Sequence, residues 1–133
     1  MEEEVRFEEI IPLKEILKTL RKENRILIAI LYGSYSKGTP HKRSDIDLAL
    51  YLKAKDEKDE LEIVDKILVS VERNISILRL DDEEESPFVV QEALKGIHLI
   101  DPDTETLYKI SHRVLHECEG MRFRKEIKVG QVR

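Results

Sequence analysis

Residues 26–52 read ILIAILYGSYSKGTPHKRSDIDLALYL: one apolar run closed by a Gly-Ser pair, and a second opened by Asp-Ile-Asp. The first run, Ile26 to Tyr32, is aliphatic and rich in β-branched residues, as a strand buried on both faces should be. It stops at Gly33-Ser34, where the backbone must turn, and a turn of this kind presents amide N–H groups and a hydroxyl. If a short helix opens there, its N-terminus adds partial positive charge, which suits a triphosphate. The second run alternates strictly. Asp45, Asp47, Ala49 and Tyr51 fall on one face of a strand, and Ile46, Leu48, Leu50 and Leu52 on the other. The two carboxylates therefore project to the same side, about 6.6 Å apart along the backbone. That spacing lets both reach shared Mg²⁺ ions that also bind phosphate oxygens.

This pattern, Gly33-Ser34, ten intervening residues, then Asp45-x-Asp47, with Lys37-Gly38 and Ser44 between, resembles the nucleotidyltransferase superfamily of DNA polymerase β, and specifically the minimal nucleotidyltransferases (MNT). The resemblance covers most of the chain, since the helix, the strand ISILRL, the acidic loop, the helix ending in Lys95-Gly96 and the short strand IHLI follow in the order of an MNT domain. It implies an α/β domain of polymerase β-like nucleotidyltransferase fold, with a small mixed sheet and helices packed mainly on one face. It also implies transfer of a nucleoside monophosphate, AMP from ATP, to an acceptor hydroxyl. In that reading Gly33, Ser34, Lys37 and Ser44 hold the nucleotide phosphates, while Asp45 and Asp47 are catalytic and bind Mg²⁺ or Mn²⁺. Some members resembling this chain are antitoxins that modify or mask HEPN toxins, so a HEPN-type protein is the partner implied. The competing reading is a nucleotide-binding MNT module, catalytically weak or inactive, that acts as antitoxin or scaffold through protein-protein binding.

Length and charge narrow the alternatives. A chain of 133 residues reads as one domain with a single core, too small for a second, substrate-binding domain. The net charge is −5, and the best basic stretches, His41-Lys42-Arg43 and Arg122 to Lys128, are short. Electrostatics therefore favour a protein acceptor over a polynucleotide. No apolar run approaches 18 residues, and the opening Met-Glu-Glu-Glu is unlike a signal peptide, so a cytoplasmic protein is expected. The single cysteine, Cys118, fits a reducing compartment.

Periodicity predicts the remaining elements. Ile10 to Glu23 reads as a helix with Pro12 in its first turn and Ile16, Leu17 and Leu20 as its apolar stripe. Glu60 to Glu72 reads as a crossover helix built on Leu61, Val64, Leu68 and Val71, followed by a strand from Ile75 to Leu80. Asp81 to Glu85 form a solvated acidic loop, after which Ser86 at the N-cap and Pro87 at N1 start a helix that Gly96 ends. A short strand, His98 to Ile100, precedes Asp101-Pro102-Asp103-Thr104 and a long helix from Glu105 to about Ile127, with a frayed tail beyond it. That helix carries Leu107, Ile110, Val114, Leu115, Cys118 and Met121, then Arg122, Phe123 and Arg124, which suit an interface with itself or with a partner.

Other residues resemble chemistry less convincingly. His112 and His116 stand one helical turn apart, but Arg113 occupies the place where a zinc hydrolase needs its glutamate, so surface histidines are expected. Cys118 lies on the apolar stripe and reads as core. Tyr51 either stacks on a base or closes the open side of the sheet. The departure that matters concerns a third acid. Active members of the superfamily carry a carboxylate on the third strand, and the aligned position here is Ser76. A neutral hydroxyl cannot replace an anionic ligand or a good base. Either transfer is weak, or Glu72, Asp81 or Asp82 substitutes.

Overall fold

The computed structural model describes residues 9–33 and 46–131. Its elements are α1 (Ile11–Lys22), β1 (Ile26–Tyr32), β2 (Ile46–Leu52), α2 (Glu57–Leu68), β3 (Ile75–Arg79), α3 (Pro87–Leu94), β4 (Ile97–His98) and α4 (Thr104–Gln131). The four strands form one mixed sheet in the order β3-β2-β1-β4. β1 runs antiparallel to both β2 and β4, whereas β2 and β3 are parallel, so α2 must carry the chain from one end of the sheet to the other between them.

The alternation along β2 sorts the core. Ile46, Leu48, Leu50 and Leu52 join Ala29, Leu31, the α1 residues Leu13, Leu17 and Leu20, and Ile63 and Ile67 of α2 in one cluster. Ala49 turns the other way and joins Ile28, Ile30, Val90 and Ala93 of α3, and Ile110, Val114 and Cys118 of α4. The α/β class and the mixed sheet are as expected from the sequence. The two clusters add that α3 and α4 cover the second face as well, where packing mainly on one face had been expected. Among the described residues no helix is long and apolar enough to cross a membrane.

Local chemistry explains where element boundaries differ from the periodicity. α2 starts at Glu57 because the Asp59 N–H donates to the Asp56 side chain (2.8 Å), and Glu57, Asp59 and Glu60 fill the first turn. Its buried stripe is Ile63 and Ile67; Leu61 is 70% exposed and Leu68 40%. Val64 and Val71 of the expected stripe are partly buried against the first cluster, while the isoleucines are its fully buried members from this helix. Pro87 does open α3 with Ser86 at the N-cap, although the serine hydroxyl makes no cap hydrogen bond. β4 is Ile97–His98; the Leu99 N–H still donates to the Ala29 carbonyl of β1 (2.9 Å), and Leu99 and Ile100 join the first cluster. Gly96 sits so close to β1 that a Cβ there would lie within van der Waals overlap of the Leu31 carbonyl oxygen and 2.8 Å from Ile30 Cγ2. α4 opens at Thr104, with the Thr106 N–H and hydroxyl both donating to the Asp103 carboxylate.

Candidate functional site

Tyr32, the last residue of β1, is the register partner of Asp47, the second residue of β2. On its other side Asp47 is the register partner of Ser76 in β3. Directly paired residues face the same side of a sheet, so Tyr32, Asp47 and Ser76 form a row across three strands. This row lies on the face of the second cluster, in which Tyr32 and Tyr51 are partly buried. Tyr51 thus closes part of the open face, the second of the two roles considered for it.

Gly33 follows directly and adopts φ = 72°, a left-handed conformation that L side chains rarely take. A Cβ at Gly33 would stand 3.1 Å from Asp47 Cγ and would overlap Oδ2 outright. Glycine here lets the β1 turn press its backbone against a carboxylate. Burial pushes the Tyr32 phenol above its ordinary range, and the negative charges of Asp47 and Glu85 add to the effect.

Glu85 is a residue that the sequence reading missed. Asp81 to Glu84 are exposed, as a solvated loop should be, but Glu85 is half-buried beside the Ser86-Pro87 start of α3. Within five consecutive acids, no sequence signal marks the one that α3 turns inward. The substitutes considered for the third acid lie elsewhere. Asp81 is held by Arg79 (Nη2 to Oδ2, 2.7 Å), and Asp82 accepts from the Glu84 N–H (2.9 Å). Both follow Leu80, whose N–H donates to the Leu50 carbonyl at the opposite end of β2 from Asp47. Glu72 lines a cleft with Pro12 and Ile46. Ile46 belongs to the first cluster, so that cleft opens on the other side of the sheet.

Ser34, Lys37, Ser44 and Asp45 lie outside the described residues. The side chains of Met121 to Arg124 do as well. His112 and His116 are both exposed, and His112 stacks on Tyr108 with ring centroids 5.9 Å apart. Among the described residues no three His, Cys, Asp or Glu side chains gather as a metal site. Cys118 is buried in the second cluster.

Residues 14–105 match the family described as Polymerase beta, Nucleotidyltransferase. The chain belongs to this nucleotidyltransferase family. None of the curated proteins matches it. Among solved structures, a chain from a toxin-antitoxin crystal structure with AMP-PNP is similar at a TM-score of 0.64 and 19% identity, over 90% of this chain and 97% of that one. A chain from a complex of a tri-AMPylated Shewanella oneidensis HEPN toxin with an MNT antitoxin gives 0.60 and 16%, over 93% and 98%. A chain from the toxin-antitoxin MntA-HepT gives 0.60 and 15%, over 92% and 97%. At these identities the likeness is one of fold. The matched residues include the Gly33 turn and the row of Tyr32, Asp47 and Ser76.

Proposed function

We propose that this chain is a minimal nucleotidyltransferase that moves AMP from ATP onto an acceptor hydroxyl, and that the acceptor belongs to a HEPN-type toxin for which the chain serves as antitoxin. The observation that carries the reading is Asp47, in register with the end of β1 and pressed against the left-handed Gly33. That arrangement, in a chain of this family, is what a site for a metal-bound triphosphate requires. The toxin partner is supported by the folds it is similar to, which come from toxin-antitoxin complexes, one of them with a tri-AMPylated HEPN toxin.

The donor set suits Mg²⁺ or Mn²⁺. Mg²⁺ is commonly held by one or two carboxylates together with substrate phosphates. Asp47, with Asp45 two residues before it in the sequence, supplies such a set of hard oxygens. The bound cation would neutralise charge growing on the leaving pyrophosphate. The chain's own residues do the rest. In this reading Gly33 and Ser34 bind the triphosphate, Lys37 neutralises its charge, and Ser44 belongs to the same phosphate-binding set. The acceptor oxygen attacks the α-phosphorus, the bond to the bridging oxygen breaks, and pyrophosphate departs while the acceptor proton passes to solvent water.

A second reading has its own observation. Ser76 is the β3 residue in register with Asp47 and offers only a neutral hydroxyl there. On that reading nucleotide is bound but transferred slowly, and the chain restrains its partner by binding. Incubation with ATP, Mg²⁺ and the partner, followed by intact-mass analysis, separates the two. A partner heavier by one or more AMP groups supports transfer; a complex of unmodified partner with nucleotide-bound chain supports the binding module.

A further inference from the structure

A second cleft, of about 530 Å³, lies between the last turns of α1 and residues 98–102. The Asp103 N–H donates to the Leu27 carbonyl (2.9 Å), which anchors this segment near the start of β1. Asp47 pairs with Tyr32, five residues further along the strand and roughly 16 Å away. Leu99 and Ile100 of the cleft belong to the first hydrophobic cluster, so the cleft also lies across the sheet from the Asp47 row.

Its charged lining is mostly cationic. Lys18, Arg21 and Lys22 stand at i, i+3 and i+4 on α1 and so share one side of the helix, with His98 opposite them. The Arg21 Nε donates to the Asp101 carbonyl (3.0 Å), which orients the guanidinium of this lining residue. Each of the other four arginines with a described side chain has a carboxylate partner: Arg25 with Asp59, Arg73 with Glu9, Arg79 with Asp81 and Arg113 with Glu117. Among the described residues Arg21, Lys18 and Lys22 have none. The negative groups nearby are Asp101, on the rim, and Asp103, whose carboxylate accepts from Thr106 and also feels the Arg21 charge without forming a salt bridge to it. Attraction to the α1 C-terminus accounts for basic residues in the last turn. It does not account for Lys18 and His98 facing the same concavity, or for an arginine oriented by a carbonyl of another element.

We propose that this cleft is a second anion site that takes phosphate groups of a nucleotide-sized ligand. A planar guanidinium matches two phosphate oxygens at once, and two lysines on a helix supply the charge that a diphosphate needs. The proposal does not depend on the transferase reading, because it uses none of the residues assigned there.

The test is an amide-shift titration of the uniformly ¹⁵N-labelled full chain with pyrophosphate in EDTA, repeated with ADP and with a short single-stranded RNA. Saturable shifts at residues 18–22 and 98–102 are expected. Lys18→Glu with Lys22→Glu should weaken that binding by about tenfold or more. Lys18→Gln with Lys22→Gln, which keeps the helix propensity, should weaken it less. Asp47→Asn should leave it unchanged. Response to pyrophosphate and ADP identifies free nucleotide as the source of the phosphates, and response to RNA alone identifies a nucleic-acid backbone. Silence of these amides to all three, shifts that survive both lysine pairs, or their loss in Asp47→Asn would overturn the proposal.

Discussion

Gly33 and Gly96 both exist because something comes too close for a side chain, yet what comes close differs. At Gly96 the neighbour is β1 itself, the Leu31 carbonyl and the Ile30 methyl, so the missing Cβ lets α3 and β4 dock on the sheet. At Gly33 the neighbour is the carboxylate of Asp47, and the backbone takes φ = 72° to reach it. One close approach serves packing and the other gathers polar groups at a strand end. Two glycines that look alike in a sequence therefore do separate work, and substitutions can pull that work apart.

The largest effect should come from Ser76, which shares the row of Asp47 and Tyr32, next to the Gly33 turn. A positioned base contributes ~10²–10⁴ in rate, about 2.7–5.5 kcal/mol of barrier. Ser76→Asp should therefore raise AMP transfer within that range, measured as initial rate of label incorporation. It should also lower the melting temperature without Mg²⁺, since it adds a negative charge beside Asp47. Vigorous wild-type transfer that Ser76→Asp weakens would show that another group already supplies the base. Glu85→Gln then becomes the informative variant, because Glu85 is the half-buried acid whose charge reaches Tyr32.

Next in size is the packing glycine. Gly96→Ala forces a methyl into the Leu31 carbonyl and should destabilise by ~1–3 kcal/mol. Thermal denaturation should show a fall of about 4 °C per kcal/mol, with ATP affinity of the folded fraction unchanged. Gly33→Ala should reverse the balance. Its left-handed backbone costs ~1–2 kcal/mol, but the methyl also displaces the Asp47 carboxylate, so calorimetry should show ATP affinity falling out of proportion to stability. Equal ratios of affinity loss to stability loss in the two alanine variants would erase the distinction drawn between them.

The smallest effect concerns the start of α4. The Thr106 hydroxyl and N–H hold the Asp103 carboxyl below the usual carboxylate range. A folded value below the unfolded one means stability that is present above about pH 4 and is lost as pH falls through the folded value. Asp103→Asn should remove that dependence, so urea midpoints of variant and wild type should converge as pH drops below 4. Parallel pH profiles would refute the cap's ionic part.

Much of this arrangement was legible in the chain. The strict alternation from Asp45 to Leu52 placed Asp47 opposite the aliphatic residues of β2, because period-two patterning admits one solution when one face carries acids. The pairing of Ser76 with Asp47 was anticipated from the family resemblance, not from alternation, since β3 carries apolar residues on both faces. The stripe of α2 was half legible: Val64 and the following Val71 do pack against the first cluster, but Leu61 and Leu68 are exposed, and only packing against α1 and the sheet makes Ile63 and Ile67 the fully buried residues. Glu85 was hidden among five consecutive acids. Nothing in such a run distinguishes the one that the next helix turns inward. The spacing of Gly33 from Asp47 was legible as a motif. Its physical content, a carboxylate occupying the room where a side chain would be, required the fold.

The most direct measurement is transfer of label from [α-³²P]ATP, with Mg²⁺, to a co-purified HEPN-type partner by wild type and by Asp47→Asn. The account predicts label covalently retained on the partner by wild type, released pyrophosphate in equal amount, and neither with Asp47→Asn despite an unchanged melting temperature. Label incorporated equally by both proteins would contradict it.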